Sequence, residues 1–309
     1  MKKKTKILIY AIAFVLVFII SALVRIKLLG SAPARLLEVQ WNADSGMICK
    51  DLPYPNENGN TFDLYIPAGL DPEQEQHLIL FIHGGSFNSG SKDDGEIYCK
   101  FYASHGYIAA SVDYTLQTKG LDATIDVMNR EILQAVDSIS QITENMGYHI
   151  TGMAPFGVSA GGTLAMNLAY NCQSSIPVKF VFQLAAPTYF HPDDWGLLMQ
   201  VDHLTSKEDF LYMMTGERLT LENWQDAVDR ISPASCVRDG AVPSLIGYGL
   251  IDHCVPLNQK YYLMDAYERY GVAYQYIEFP HSNHGMYNDQ DKLQEFIDLS
   301  LEYAHDLLD

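Results

Sequence analysis

No pair among Cys49, Cys99, Cys172, Cys236 and Cys254 has a C-x-x-C spacing. Five cysteines spread this widely do not form a disulfide framework. One or two bridges in an oxidising compartment and free buried thiols are both open. Cations are scarce beyond the N-terminus. Seven of the 20 Lys and Arg residues fall within residues 1–35, which contain no Asp or Glu. The rest of the chain sets 13 cations against 38 acids, a net charge of −25. Such a body repels nucleic acid and anionic lipid surfaces and disfavours a polyanionic substrate. A neutral small molecule suits it better; the plainer reading is an acidic, well-solvated exterior. Internal repeats and low-complexity tracts are also missing, so no repeat array is expected.

What stands out first is the N-terminus. A basic start, Met1-Lys2-Lys3-Lys4-Thr5-Lys6, precedes an apolar run from Ile7 to Val24 broken only by Tyr10 and Ser21. That length approaches the ~20 residues a helix needs to cross the hydrocarbon core. A cleaved signal peptide has a shorter apolar region of ~7–15 residues. Arg25 and Lys27 follow at once, as at a membrane boundary. Residues 1–30 are therefore read as an uncleaved signal-anchor with a cytoplasmic N-terminus and an extracytoplasmic remainder. The alternative is secretion after cleavage near Ala32-Pro33-Ala34. Residues 31–58, with several Gly, Pro and Asn, read as a linker. Residues 59–309 suffice for one large domain with a substantial core.

Within that domain, short apolar runs alternate with helical patterns. Thr61–Pro67 alternates and ends at a proline, as an outer strand does. Leu78–Ile82 is a continuous apolar run and Ile108–Val112 a similar run that includes Ser111, the pattern of strands buried on both faces. Residues 122–146 carry Ile125, Met128, Ile132, Val136, Ile139 and Ile142 at spacings of three and four, which predicts an amphipathic helix. Further strands are expected at Ile150–Phe156, Phe180–Leu184, Ser244–Tyr248 and Ala273–Phe279. Further helices are expected at Thr163–Tyr170, ~257–270 and ~290–307. Pro155 fits a central strand poorly and is placed at its last pairing position or at an irregularity. The alternation implies an α/β fold with a mostly parallel sheet covered on both faces. Residues 188–235 break the rhythm and read as a helical cap over the sheet's carboxyl edge, where ligands of α/β folds bind; a plain pair of packing helices is the alternative.

Gly157-Val158-Ser159-Ala160-Gly161-Gly162 fits the Gly-x-Ser-x-Gly pattern of a nucleophile elbow. Such a turn passes from strand to helix within a residue or two, so its flanking positions must be small. A serine hydroxyl is a poor nucleophile at neutral pH and needs a base, which in turn needs an acid to fix its tautomer. Asp252 follows the Ser244 strand, and His284 sits in Pro280-His281-Ser282-Asn283-His284-Gly285 before the last helix. All three residues thus fall on loops at the carboxyl edge, in the order serine, acid, histidine. His281 is the competing base; Gly285 favours His284 by letting the loop turn tightly. His253 reads as a surface or wall residue. An acyl-transfer intermediate also needs donors for its oxyanion. Candidates are the Ala160 N–H and the Gly84 and Gly85 N–H groups in His83-Gly84-Gly85-Ser86, with His83 bracing that loop.

Together with Asp113-Tyr114 and the Phe62–Pro67 strand, these motifs resemble the α/β-hydrolase superfamily over ~60–305, specifically the esterase and lipase group related to hormone-sensitive lipase and its carbohydrate-esterase-like branch. Ser86 stands where the lipase-like branch often has a third glycine, and Val158 where Asp is common. The resemblance implies an eight-stranded sheet, a Ser-His-Asp triad of Ser159, His284 and Asp252, and neither cofactor nor metal. It implies a serine carboxylesterase acting on small or acetyl-type esters through an acyl-enzyme. The same triad would also serve a peptidase or amidase, and a catalytically silent binding module is the non-enzymatic alternative.

Overall fold

The computed structural model describes residues 36–118 and 123–308. The expected membrane span lies outside the described residues; among those described, no helix is long and apolar enough to cross a membrane.

The framework is an eight-stranded sheet. Its strands are β1 (Gly46–Pro53), β2 (Thr61–Pro67), β3 (Gln76–Ile82), β4 (Ile108–Val112), β5 (Ile150–Val158), β6 (Val181–Leu184), β7 (Ser244–Gly249) and β8 (Tyr274–Phe279). Their spatial order is β1-β2-β4-β3-β5-β6-β7-β8. β2 runs antiparallel to both β1 and β4, and every other pairing is parallel. The main helices are α1 (Glu96–Ser104), α2 (Ile125–Asn145) and α3 (Ala160–Asn171). Four short helices join β6 to β7: α4 (Gly196–Val201), α5 (Lys207–Thr215), α6 (Gln225–Ile231) and α7 (Pro233–Cys236). α8 (Asn258–Tyr270) and α9 (Gln290–Leu307) complete the order.

Two apolar clusters explain the continuous strand runs. Leu78, Leu80 and Ile82 of β3 enter one cluster with Met128, Ile132 and Val136 of α2 and Leu164 of α3. Ile79 and Phe81 enter the other with Tyr102 of α1 and Phe296 of α9. Side chains alternate across a strand, so a strand covered on both faces must be apolar at every position.

Three local readings are revised. The sheet starts earlier than the alternation at Thr61 suggests, because β1 lies inside the stretch read as linker. β1 is a half-exposed edge strand whose register shifts between Cys49 and Leu52. Asp51 there sits at φ 56°. β2 is therefore not the outer strand. Its six residues after Thr61 are all buried, Asp63 included. The third concerns Pro155, which lies inside central β5 opposite Leu80. Met153 and Ser159 donate their N–H groups to the Pro177 and Leu184 carbonyls on the β6 side. By alternation the Pro155 nitrogen faces that side too. Pairing there jumps from Met153–Val178 to Phe156–Phe182, one extra residue on the partner segment, so the missing N–H falls at a bulge.

Asp63 is tolerated in the core because Lys50 and Lys92 bring their ammonium groups to 2.7 and 2.9 Å from its carboxylate. Lys92 also reaches Asp51 at 2.7 Å. Burial pushes the Asp63 carboxyl up, but the two lysines outweigh burial and hold it below its usual range. A depressed folded value stabilises above the unfolded pKa of about 3.9 and loses that contribution as pH falls through the folded value. Asp63→Asn is expected to cost about 3 kcal/mol at pH 7, the scale for breaking a buried pair. The variant should also show a shallower loss of stability below about pH 4 than the parent. Urea midpoints across pH 3–7 check both, and identical acid limbs would contradict the assignment.

Candidate active site

β5 ends in the elbow, and Ser159 caps α3 with φ 56° and ψ −127°. A non-glycine residue held at positive φ stores about 1–3 kcal/mol, which its surroundings must impose. Here they do so by backbone contact. Ser159 N–H donates to the Leu184 carbonyl at 2.8 Å, and its own carbonyl accepts from Gly162 N–H at 2.9 Å. A Cβ on Gly157 would lie 2.2 Å from the Gly161 carbonyl, and one on Gly161 would lie 2.0 Å from the Ile82 oxygen. Neither obstacle can rotate away. Gly161→Ala is accordingly expected to cost about 3 kcal/mol or more. A urea midpoint within error of the parent would show that the elbow is looser than this geometry.

The loop after β3 folds against the elbow. A Cβ on Gly84 would lie 2.6 Å from the Val158 oxygen. Gly85, Ser86 and Phe87 hold φ values of 111°, 52° and 63°, three left-handed residues in a row. The Gly85 carbonyl accepts from the Asn88 and Ser89 N–H groups at 3.0 Å each. His83 is buried and stacks on Tyr114 at 4.2 Å, and the Tyr114 hydroxyl donates to the His83 carbonyl at 2.8 Å. Burial lowers the His83 pKa, against the opposing pull of the Gly84 carbonyl and Asp113. The ring Nδ1 lies 2.8 Å from the Gly84 oxygen and so braces the loop.

The acid and histidine loops are stapled together. Past the end of β7, Leu250 N–H donates to Phe279 O and Ile251 N–H to Ser282 O, both at 3.0 Å. A Cβ on Gly249 would lie 2.5 Å from the Ser282 oxygen, so the two loops touch backbone to backbone. Asp252 Oδ2 lies 2.8 Å from His284 Nδ1. Its Oδ1 accepts from the Cys254 and Val255 N–H groups at 2.7 and 3.0 Å. The carboxylate is 1% exposed and the imidazole 27%, so the histidine alone faces outward. His281 turns elsewhere: its Nδ1 lies 2.8 Å from Asp289, which also accepts from the Ser282 hydroxyl at 2.7 Å. His253 is exposed.

Ser159, His284, Gly84, Gly85 and Ala160 line one cavity of ≈ 540 Å³. Asp252 stands behind His284. The segment between β6 and β7 supplies an apolar wall of Phe190, Trp195 and Leu198, and the loop after β3 adds Phe87. Phe190 stacks on Trp195 at 5.6 Å, and Trp195 on Phe210 of α5 at 6.3 Å. A hydroxyl on a strained turn, an outward imidazole backed by a carboxylate, and glycine-loop amides beside a helix N-terminus suit attack on a carbonyl.

A family model named BD-FAE matches residues 62–267, roughly two thirds of the chain. The chain belongs to the BD-FAE family. Its structure has the α/β-hydrolase fold. This BD-FAE chain is 24% identical over 262 residues to a probable isoprenylcysteine alpha-carbonyl methylesterase of Oryza sativa subsp. japonica, covering 78% of this chain and 57% of that protein. It is 28% identical over 116 residues to a kynurenine formamidase of Danio rerio, covering 37% of this chain and 36% of that protein. Among solved structures it resembles esterase 2 of Thermogutta terrifontis with propionate bound, at TM-score 0.67 and 19% identity over 85% of this chain and 94% of the other. It also resembles esterase B of Lactobacillus rhamnosis, at TM-score 0.68 and 17% identity over 89% and 90%. Both structural likenesses speak to the fold.

Two features of the BD-FAE site escaped sequence reasoning. Asp289 fixes the His284 loop through Ser282 and His281. Its position just before the α9 pattern was the available signal, since Asp is common at helix starts. Cys254 borders the cavity, and nothing in cysteine spacing announces that.

Proposed function

We propose that the chain is a serine carboxylesterase acting on small, neutral, acetyl-type esters. The observation that carries this reading is His284, held by Asp252 at 2.8 Å and lining the same cavity as a serine at φ 56°. In this reading Ser159 attacks the ester carbonyl, and His284 takes its proton and returns it to the leaving alcohol. Asp252 orients His284, and the N–H groups of Gly85 and Ala160, with Gly84 beside them, hold the oxyanion. Water then clears the acyl-enzyme by the reverse path. The apolar wall of Phe87, Phe190 and Trp195 supports a short acyl group, and the acidic body supports an uncharged substrate. A panel of esters of increasing acyl length, with acetylated sugars included, tests it. Turnover peaking at long acyl chains would overturn the short-ester assignment. Fluorophosphonate should label Ser159; an unlabelled, folded protein would favour a silent binding module.

The similarity to proteins named kynurenine formamidase favours one further reading, amide hydrolysis at the same site. An aryl formamide in the same panel separates the two. For the whole chain we infer residues 1–30 as a membrane anchor and an extracytoplasmic catalytic domain that begins with β1 at Gly46, because β1 pairs with β2, rather than at residue 59; residues 188–235 are its cap. The support is the basic start, the apolar run and the two cations that follow it. Membrane retention of the full chain after an alkaline carbonate wash tests the anchor, and release into the medium would favour cleavage.

A further inference from the structure

We propose that Asp252, Cys254 and His284 form an inhibitory site for a thiophilic divalent cation, represented by Zn²⁺, whose occupation switches the enzyme off. The inhibitory half of this proposal rests on reading His284 as the base. The binding half rests on geometry alone. The Cys254 sulfur, a carboxylate oxygen of Asp252 and a ring nitrogen of His284 lie within 4.8 Å of one another. They come from the two loops that the Leu250, Ile251 and Gly249 contacts hold together, so their approach is built into the sheet edge. Around zinc, with bonds of about 2.0–2.3 Å, neighbouring ligand atoms sit about 3.3–3.7 Å apart. Binding would require the Asp252–His284 contact, now 2.8 Å, to open slightly and the Cys254 sulfur to draw in. Cys254 is exposed and forms no disulfide, while its N–H stays anchored to Asp252.

The donor set also selects the ion. A sulfur, an imidazole nitrogen and one carboxylate oxygen suit zinc or cadmium, whereas magnesium and calcium require mostly oxygen. On binding, the Cys254 thiol gives its proton to solvent and the metal replaces the Asp252–His284 hydrogen bond. A metal on Nδ1 moves the ring proton to Nε2, so the lone pair that would take the Ser159 proton is lost, and Asp252 no longer sets the tautomer. The acidic body concentrates cations at this surface.

The test separates binding from activity. Ser159→Ala keeps all three ligands and turns over no ester in the proposed mechanism. After EDTA treatment and removal of the chelator, calorimetric titration with ZnCl₂ should show one ion per chain. Adding Cys254→Ala or Cys254→Ser to that protein should weaken binding by about 10–100-fold or more. In the parent enzyme Zn²⁺ should suppress turnover, EDTA should restore it, and Mg²⁺ should do neither. Cys254→Ala, measured against its own EDTA-treated rate, should need at least about 10-fold more zinc for half-inhibition. Equal zinc affinity with and without Cys254, or unchanged zinc sensitivity, would overturn the site. If the parent turns over no ester at all, the esterase reading fails, while the calorimetric comparison still decides the metal site.

Discussion

Ser159→Ala should lower turnover of short p-nitrophenyl esters by roughly four to six orders of magnitude, the scale seen when a triad serine is removed elsewhere. The alanine keeps the Cβ and the backbone. The elbow, fixed by the Gly157 and Gly161 contacts and by the bond to Leu184, should therefore survive. Thermal midpoint should move little, or rise slightly if the hydroxyl contributes to strain. What remains is the modest acceleration that oriented amides give a bound ester attacked by water. Because no other hydroxyl among the described residues occupies such a turn, a variant retaining more than about one per cent of activity would place the nucleophile elsewhere.

Asp252→Asn should reduce kcat by about 10⁴-fold, and the reason is specific to this site. Oδ1 accepts two backbone N–H groups, from Cys254 and Val255. An asparagine keeps those bonds only by leaving its carbonyl oxygen there, which turns its NH₂ toward His284 Nδ1. That ring nitrogen must then accept a hydrogen bond, so the proton moves to Nε2, the nitrogen left for Ser159. The base is thereby presented with its lone pair on the wrong side. The replacement is isosteric, so urea stability should change by less than about 1.5 kcal/mol. A variant holding a tenth of parental kcat would show that Asp252 does not set the tautomer.

The sheet was legible where burial leaves a plain mark. Leu78–Ile82 is apolar throughout, and Ile108–Val112 is apolar except for Ser111, because helices cover both of their faces. The spacings of Ile125, Met128, Ile132 and Val136 trace the buried side of α2. The chain order of Ser159, Asp252 and His284 likewise foretold which loops would meet, since each residue lies in the loop that follows a strand at the same edge. Other features depend on partners that no local window contains. Asp63 looks solvent-facing until Lys50 and Lys92 are brought to it. The strand at Gly46 is half-exposed and bulged, so it lacks clean alternation. Pro155 is acceptable only because the neighbouring strand slips by one residue there. The wall formed by Phe190 and Trp195 lies in the loop before α4 and is set by stacking of Phe190 on Trp195 and of Trp195 on Phe210 of α5, which periodicity does not orient.

The contact between Gly161 and the Ile82 and His83 carbonyls, and between Gly84 and the Val158 carbonyl, joins two loops with no side chain between them. The serine and the amides opposite it are thus positioned by main chain against main chain. Rotamer changes do not reach that joint. On the proposed reading, exchanging residues of the segment between β6 and β7 would reshape what enters the cavity while the serine and the amides keep their places. Accuracy and selectivity would then be housed in separate parts of the chain.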